Sequence, residues 1–186
     1  MIMTEQQFEV KGLRYRIRPA AVRDAEELSA LRVQIDGETE YMDRERGEAF
    51  LDVPGFEQLI RADAGNERNL FLVADTGERI VGFSRCEGSA LKRLSHKVDF
   101  GVCVLQEFWG YGIGKQLLVQ SMAWADGSGI LKMGLHVLET NHRAIALYTK
   151  LGFEIEGRLR KDKLLGVGRY YDTIVMGRFK EGNMLA

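Results

Sequence analysis

From Asn69 to Phe179 the sequence is a succession of short apolar runs, too brief for buried helices, punctuated by turns and by two stretches of helical spacing. Leu70 to Ala74 and Ile80 to Phe83 are two such runs, and the Asp75-Thr76-Gly77-Glu78 turn between them predicts an antiparallel hairpin. Val98 to Leu105 and Leu131 to Leu138 read as further strands; Phe153-Glu154-Ile155 and Tyr170 to Phe179 close the chain in the same manner. Helices are predicted from about Gly114 to Asp126, carrying Leu117, Leu118, Met122 and Trp124, and from Arg143 to Lys150, stopped by Gly152. Upstream, Tyr15 to Pro19 alternates like a strand. Asp24 to about Ile35 sets Leu28, Leu31 and Ile35 on one helical face, and a second helix centres on Phe56-Leu59-Ile60. Strands that begin as a hairpin and then alternate with helices predict a mixed α/β fold.

The chain has 186 residues with only 2 prolines and no Gly/Ser-rich linker, so a single domain spanning 1–186, with a core of about 14–180, is expected. Lys and Arg total 26 against 27 for Asp and Glu, a net charge of -1 that disfavours a nucleic-acid partner held by phosphate neutralisation. Cys86 and Cys103 lie in apolar stretches without CxxC spacing or a neighbouring His pair, so neither a metal site nor a disulfide is expected. Met1 to Glu5 lacks the basic and apolar segments of a signal peptide, and no run of about 18 apolar residues occurs. A cytoplasmic protein with no membrane partner is the expectation.

The stretch Val102-Cys103-Val104-Leu105-Gln106-Glu107-Phe108-Trp109-Gly110-Tyr111-Gly112-Ile113-Gly114-Lys115 reads as strand, glycine-crowded turn and helix start. Such a junction aims backbone N–H groups and a positive helix end at one point, which suits a phosphate or pyrophosphate. The dinucleotide fingerprint GxGxxG fails because the third glycine falls one residue early, at Gly114. The P-loop fails because Trp109 and Gln116 stand where Gly and Ser or Thr are needed. The same glycines would also serve a turn that merely permits tight strand-to-helix packing.

A second motif, Asn141-His142-Arg143-Ala144-Ile145-Ala146-Leu147-Tyr148-Thr149-Lys150-Leu151-Gly152-Phe153, is a capped amphipathic helix with Ala144 and Tyr148 on one face. Together the two segments resemble the GNAT superfamily of N-acetyltransferases. The first follows the family's Gln/Arg-x-x-Gly-x-Gly/Ala pattern at Gly112 and Gly114, with Trp109 in the Gln/Arg slot. The second follows Asn-x-x-Ala-x-x-x-Tyr-x-Lys-x-Gly-Phe at Asn141, Ala144, Tyr148, Lys150, Gly152 and Phe153.

The resemblance implies a mainly antiparallel mixed sheet flanked by helices, with a cleft for acetyl-CoA at splayed central strands. It implies that pantetheine pairs with Val102, Cys103 and Val104. The N–H groups of Trp109, Gly110, Tyr111, Gly112, Ile113, Gly114 and Lys115 take the pyrophosphate, Asn141 bonds the pantetheine amides, and Lys150 approaches a phosphate. Tyr148 is the expected acid for the departing thiolate. Asp99, which alternates with Gly101 and Cys103, is the expected base, with Glu87, His136 and Glu139 as rivals. Cys103 has no basic neighbour in sequence to lower its pKa and is not expected to carry the acyl group.

The acidic segment holding Asp36, Glu38, Glu40, Asp43, Glu45 and Glu48 is a candidate rim for a cationic acceptor, and equally an ordinary solvated charge run. A small-molecule amine is the expected acceptor. A protein N-terminus, and an acyl-CoA sensor without chemistry, stand beside it. An open sheet edge at Tyr170 to Phe179 would allow a homodimer.

Overall fold

The computed structural model describes residues 3–166 and 168–180, so Met1 and Ile2, at the head of the segment that lacks signal-peptide character, lie outside the described residues. In chain order the elements are β1 (Gln6–Val10), β2 (Leu13–Pro19), α1 (Ala25–Glu38), α2 (Val53–Ala64), β3 (Leu70–Asp75), β4 (Ile80–Gly88), β5 (Lys97–Val104), α3 (Ile113–Gly127), β6 (Lys132–Leu138), α4 (His142–Lys150), β7 (Glu154–Leu165) and β8 (Arg169–Phe179). The strands form one sheet of 8 in the order β1-β2-β3-β4-β5-β6-β8-β7. All neighbours run antiparallel except β5 and β6.

That parallel pair is short. It joins Lys97, Val98 and Asp99 to Lys132, Met133 and Gly134, and beyond Asp99 the strands part. The two strands are committed to different neighbours there. β5 runs into the glycine turn and α3, whereas β6 is held on its other side by β8 along its whole length, from Lys132↔Phe179 to Leu138↔Thr173.

Helices cover both faces. Ser84 of β4 meets Ser121 of α3 at 3.3 Å on one face. The next residue, Arg85, points the opposite way and donates from Nε to Asp63 of α2 at 2.6 Å, the two-residue alternation of a strand sorting the two layers. Fully buried Leu28, Ile35 and Phe56 fill the α1/α2 layer, and Leu117 and Leu118 fill the α3 layer. Each such side chain contributes roughly 1.5–3 kcal/mol relative to leaving it in water.

Two elements differ from the sequence expectation. β1 precedes the predicted first strand. The edge strand at the C-terminal end of the sheet is β7, while β8 lies between β6 and β7, so Tyr170 to Phe179 is not the edge strand.

Arg18 clamps the β2–β3 end of the sheet, donating to Asp24 at 2.7 and 3.0 Å and to Asp75 at 3.1 Å. Burial raises the pKa of Asp24 and Asp75, but bonds from Arg18 and the Ala21 N–H to Asp24, and from the Gly77 N–H, Arg16 and Arg18 to Asp75, outweigh it. Both carboxyls therefore stay below the usual 3.8. A depressed carboxyl contributes stability that is present above its unfolded pKa of about 3.9 and lost as pH falls through its folded value. The stability difference between the parent and Asp75→Asn, measured by urea unfolding, should be largest at neutral pH and shrink below about pH 4.

Candidate active site

The parted strands create the site. Leu105 N–H donates to Val81 O, so by alternation the main-chain groups of Cys103 and Gly101 face β4, and those of Val102 and Val104 face the gap toward β6. Beyond Asp99, β6 supplies them no partner. One of these groups is taken up locally: the Trp109 indole Nε1–H donates to Val104 O at 2.8 Å, and the ring stacks on Tyr41 with centroids 6.3 Å apart.

At the end of β5 the chain makes a single 3-10 turn, Gln106–Phe108, and then the glycine turn. Gly110 and Gly112 have φ of 92° and 78°, the left-handed region that a side chain resists, and Gly112 caps α3. Trp109 N–H is occupied by Gln106 O, and the first helical bond is Gln116 N–H to Gly112 O at 2.9 Å. The N–H groups of residues 110–115 therefore have no acceptor among the described residues, and they crown a helix N-terminus. Trp109 contributes its ring to this site and not its main-chain donor, which corrects the expectation for that residue. Tyr111 enters by main chain alone, its carbonyl accepting the Tyr15 hydroxyl at 3.4 Å.

This turn, Val102 to Val104 and the first turns of α4 enclose a cavity of about 470 Å³. Lys115, Arg143 and Tyr148 are in its wall. Lys150 is exposed at the far end of α4 and lines no part of it. Arg143 stands in its place, and a Cβ on Gly110 would lie 3.9 Å from Lys11 Nζ. Neither cation is marked by sequence spacing. Arg143 could be suspected from its place in the first turn of α4, but Lys11 arrives from the distant β1–β2 turn. Asn141 caps α4 with its side-chain oxygen on Ala144 N–H at 3.2 Å, which leaves its amide N–H₂ for a ligand.

A second chamber, of about 530 Å³, adjoins the first toward the Asp99 end of β5. The two cavities share Tyr41, Met42, Val102, Cys103, Asn141 and Tyr148. On the floor of the chamber the cross-strand pairs Phe83/Cys103, Arg85/Gly101 and Glu87/Asp99 run from apolar to charged. Asp99 stands where β5 and β6 part, its carboxylate 3.2 Å from where a Cβ on Gly134 would be. His136 also lines the chamber. Glu139 does not: Arg158 and the Asp172 N–H hold it, which removes it from the rival bases.

Burial pushes the Tyr148 hydroxyl up to about 12, and it makes no hydrogen bond among the described residues; its ring packs on Phe153. The Cys103 thiol is likewise pushed to about 12, chiefly by burial, so it is no thiolate nucleophile at neutral pH. Four of the six acids in the segment are already partnered. Asp36 is buried against Arg44, Glu38 accepts from Gln106 N–H, Asp43 pairs with Lys163, and Glu48 accepts from Glu45 N–H.

A parted sheet with free N–H groups at one end of the gap and a charged chamber toward the other, the two meeting at shared residues, is the frame of a two-substrate transferase. Residues 35–153 match the acetyltransferase (GNAT) family, and the chain belongs to it. It is accordingly an acyltransferase. An L-amino acid N-acetyltransferase of Escherichia coli K12, AaaT, is 29% identical over 174 residues, 88% of this chain and 97% of that protein. A GNAT-family acetyltransferase from Streptococcus pneumoniae superposes with a TM-score of 0.86 at 28% identity, covering 89% of this chain and 99% of its own. The yncA acetyltransferase of Salmonella typhimurium, solved with its cofactor acetyl-CoA, gives 0.79 at 19% identity, over 91% and 96% of the two chains. Among the described residues no group of 3 or more His, Cys, Asp or Glu could hold a metal ion, and no helix is long and apolar enough to cross a membrane.

Proposed function

We propose that the protein moves the acetyl group of acetyl-CoA directly to the amine of a free L-amino acid. The observation that carries this reading is the junction of the two cavities at Cys103, Val102 and Tyr148. A donor in one and an acceptor in the other would meet there without a covalent enzyme intermediate.

The free N–H groups of residues 110–115, with Lys11, Lys115 and Arg143 around them, fit a pyrophosphate and its neighbouring phosphate. The Val104 N–H and the Val102 carbonyl fit the pantetheine amides as an added strand, the Val104 carbonyl being held by Trp109. Bound there, acetyl-CoA supplies an acetyl thioester. The Val102 N–H, where the two cavities meet, polarises its carbonyl. Asp99 takes a proton from the acceptor's ammonium, through water. The freed amine nitrogen forms the C–N bond as the C–S bond breaks; Tyr148 gives its proton to the departing thiolate, and the surplus proton on the acetylated nitrogen returns to the Tyr148 oxygen.

The amino-acid acceptor rests on likeness to AaaT and on the apolar part of the chamber wall, with Phe83, Phe100, Leu135 and Val137. The test is release of free thiol with acetyl-CoA across a panel of L-amino acids, simple amines and peptides. Turnover confined to peptides would make the protein an N-terminal acetyltransferase, and acetyl-CoA binding without turnover would make it a sensor. Gly101→Leu sharpens the result. A Cβ at Gly101 meets nothing within 4 Å and faces the chamber, so the larger side chain fills acceptor space without disturbing the fold. Acceptor turnover should fall at least about tenfold while acetyl-CoA affinity stays within a few fold.

A further inference from the structure

The acceptor chamber is electrically polarised. On the β4–β5 wall Glu87 and Asp99 are direct cross-strand partners, like charges opposed on one face, an arrangement that is destabilising unless a cation lies over it. Arg85 reaches Glu87 at 2.9 Å, but its Nε and Nη2 are bound to buried Asp63 at 2.6 and 3.0 Å. Asp63 and Glu87 thus share one guanidinium while Asp99 has no cation partner among the described residues, and this wall is negative.

The α1–α2 side is the reverse. Arg44 donates from Nε and Nη2 to the two oxygens of Asp36 at 2.9 and 3.1 Å, and Arg32 Nε lies 3.9 Å from the same carboxylate. The Asp36 side chain is only 3% exposed. Two guanidiniums share one carboxylate, leaving a positive excess. Burial, and then the charge of Arg44, hold Arg32 below its ordinary pKa, as expected for crowded cations. Arg44 lines the chamber, and its Nη1 has no partner among the described residues. The remaining chamber cation, Lys163, is neutralised by Asp43.

We propose that Arg44 anchors the acceptor's carboxylate, so that the chamber selects a zwitterionic α-amino acid over a peptide N-terminus or a plain amine. Asp36 is a positioning residue: gripping Arg44 from behind, it presents Nη1 to the chamber. The field between the two walls turns the substrate's amine toward Asp99 and its carboxylate toward Arg44, even where one end is bridged by water. This inference rests on the reading of the acceptor as a free amino acid.

The test compares the best amino acid of the panel with its own carboxamide, which keeps the amine and loses the negative charge. The parent should prefer the acid by about 10–100-fold in kcat/KM, the size of a hydrogen-bonded charge contact. Arg44→Gln should collapse that preference, mainly through KM of the acid, and Arg44→Lys should restore part of it. Asp36→Asn should raise KM of the acid more than it lowers kcat. An Arg44→Gln enzyme that still prefers the acid overturns the anchor while leaving the amino-acid reading intact. A parent indifferent between acid and carboxamide overturns it without recourse to any variant, which covers the case of Arg44→Gln failing to fold. A parent that acetylates simple amines and no amino acid overturns both readings.

Discussion

Tyr148→Phe should lower turnover by about 10²–10⁴-fold, the usual contribution of a positioned acid, while acetyl-CoA affinity changes by no more than a few fold. The substitution keeps the ring that packs on Phe153 and removes only a hydroxyl that bonds to no other described residue, so little stability should be lost. At about 12, the buried phenol is a weak acid. A kcat profile should accordingly show no alkaline loss assignable to Tyr148 below about pH 11. Parental turnover in Tyr148→Phe would reduce the residue to a packing role.

Gly112→Val should abolish detectable acetyl-CoA binding, raising Kd by at least about 10²-fold. Two costs combine. At φ 78° a β-branched residue is a steric outlier that costs of order 1–3 kcal/mol in the free protein. Gly112 also lines the cavity, so added methyl groups narrow the space through which a phosphate must approach the N–H groups of residues 110–115. A Cβ at this position meets only the Tyr15 hydroxyl, at 3.8 Å, so the free protein has room for it and should remain folded. Calorimetry gives the affinity, and Trp109 emission an independent readout, since the other tryptophan, Trp124, is buried at 3% exposure. Parental binding by a folded Gly112→Val would place the cradle elsewhere.

The parts of the fold written in the sequence are those whose side chains alternate between core and solvent or cap a helix. β3, β4, α3 and α4 fall where their apolar spacing puts them. β7 is visible only at its start, Ile155, because Glu154–Leu165 is an edge strand with most residues exposed, and its register slips between Ile155 and Gly157 and between Leu159 and Lys163. Such a strand has no buried face to stamp a period on the sequence. β1 is hidden for a similar reason, a short and mostly exposed edge.

The site divides along the same line. Gly110, Gly112 and Asn141 are legible because main-chain geometry and capping admit few residue types. Arg44 and Lys11 are not, because Arg44 reaches its chamber, and Lys11 the neighbourhood of Gly110, from loops remote in sequence. The acids from Asp36 to Glu48 mislead for the converse reason: composition registers charge, while Arg44, Lys163 and two backbone N–H groups that cancel or occupy four of them are fixed only by folding.

The parting of β5 from β6 also bears on how freely such a chain can drift. Three residue pairs hold the strands together at one end, and the recognition surface beyond them is built largely from peptide groups, which every residue except proline carries intact. Point substitutions along β5 change what lines the gap without deleting the donors and acceptors that define it. A scaffold of this kind tolerates extensive replacement of its side chains, and the fold is shared with yncA at 19% identity. It also leaves the adjoining chamber, whose character rests on individual side chains such as Arg44 and Phe83, free to change at little cost to the frame.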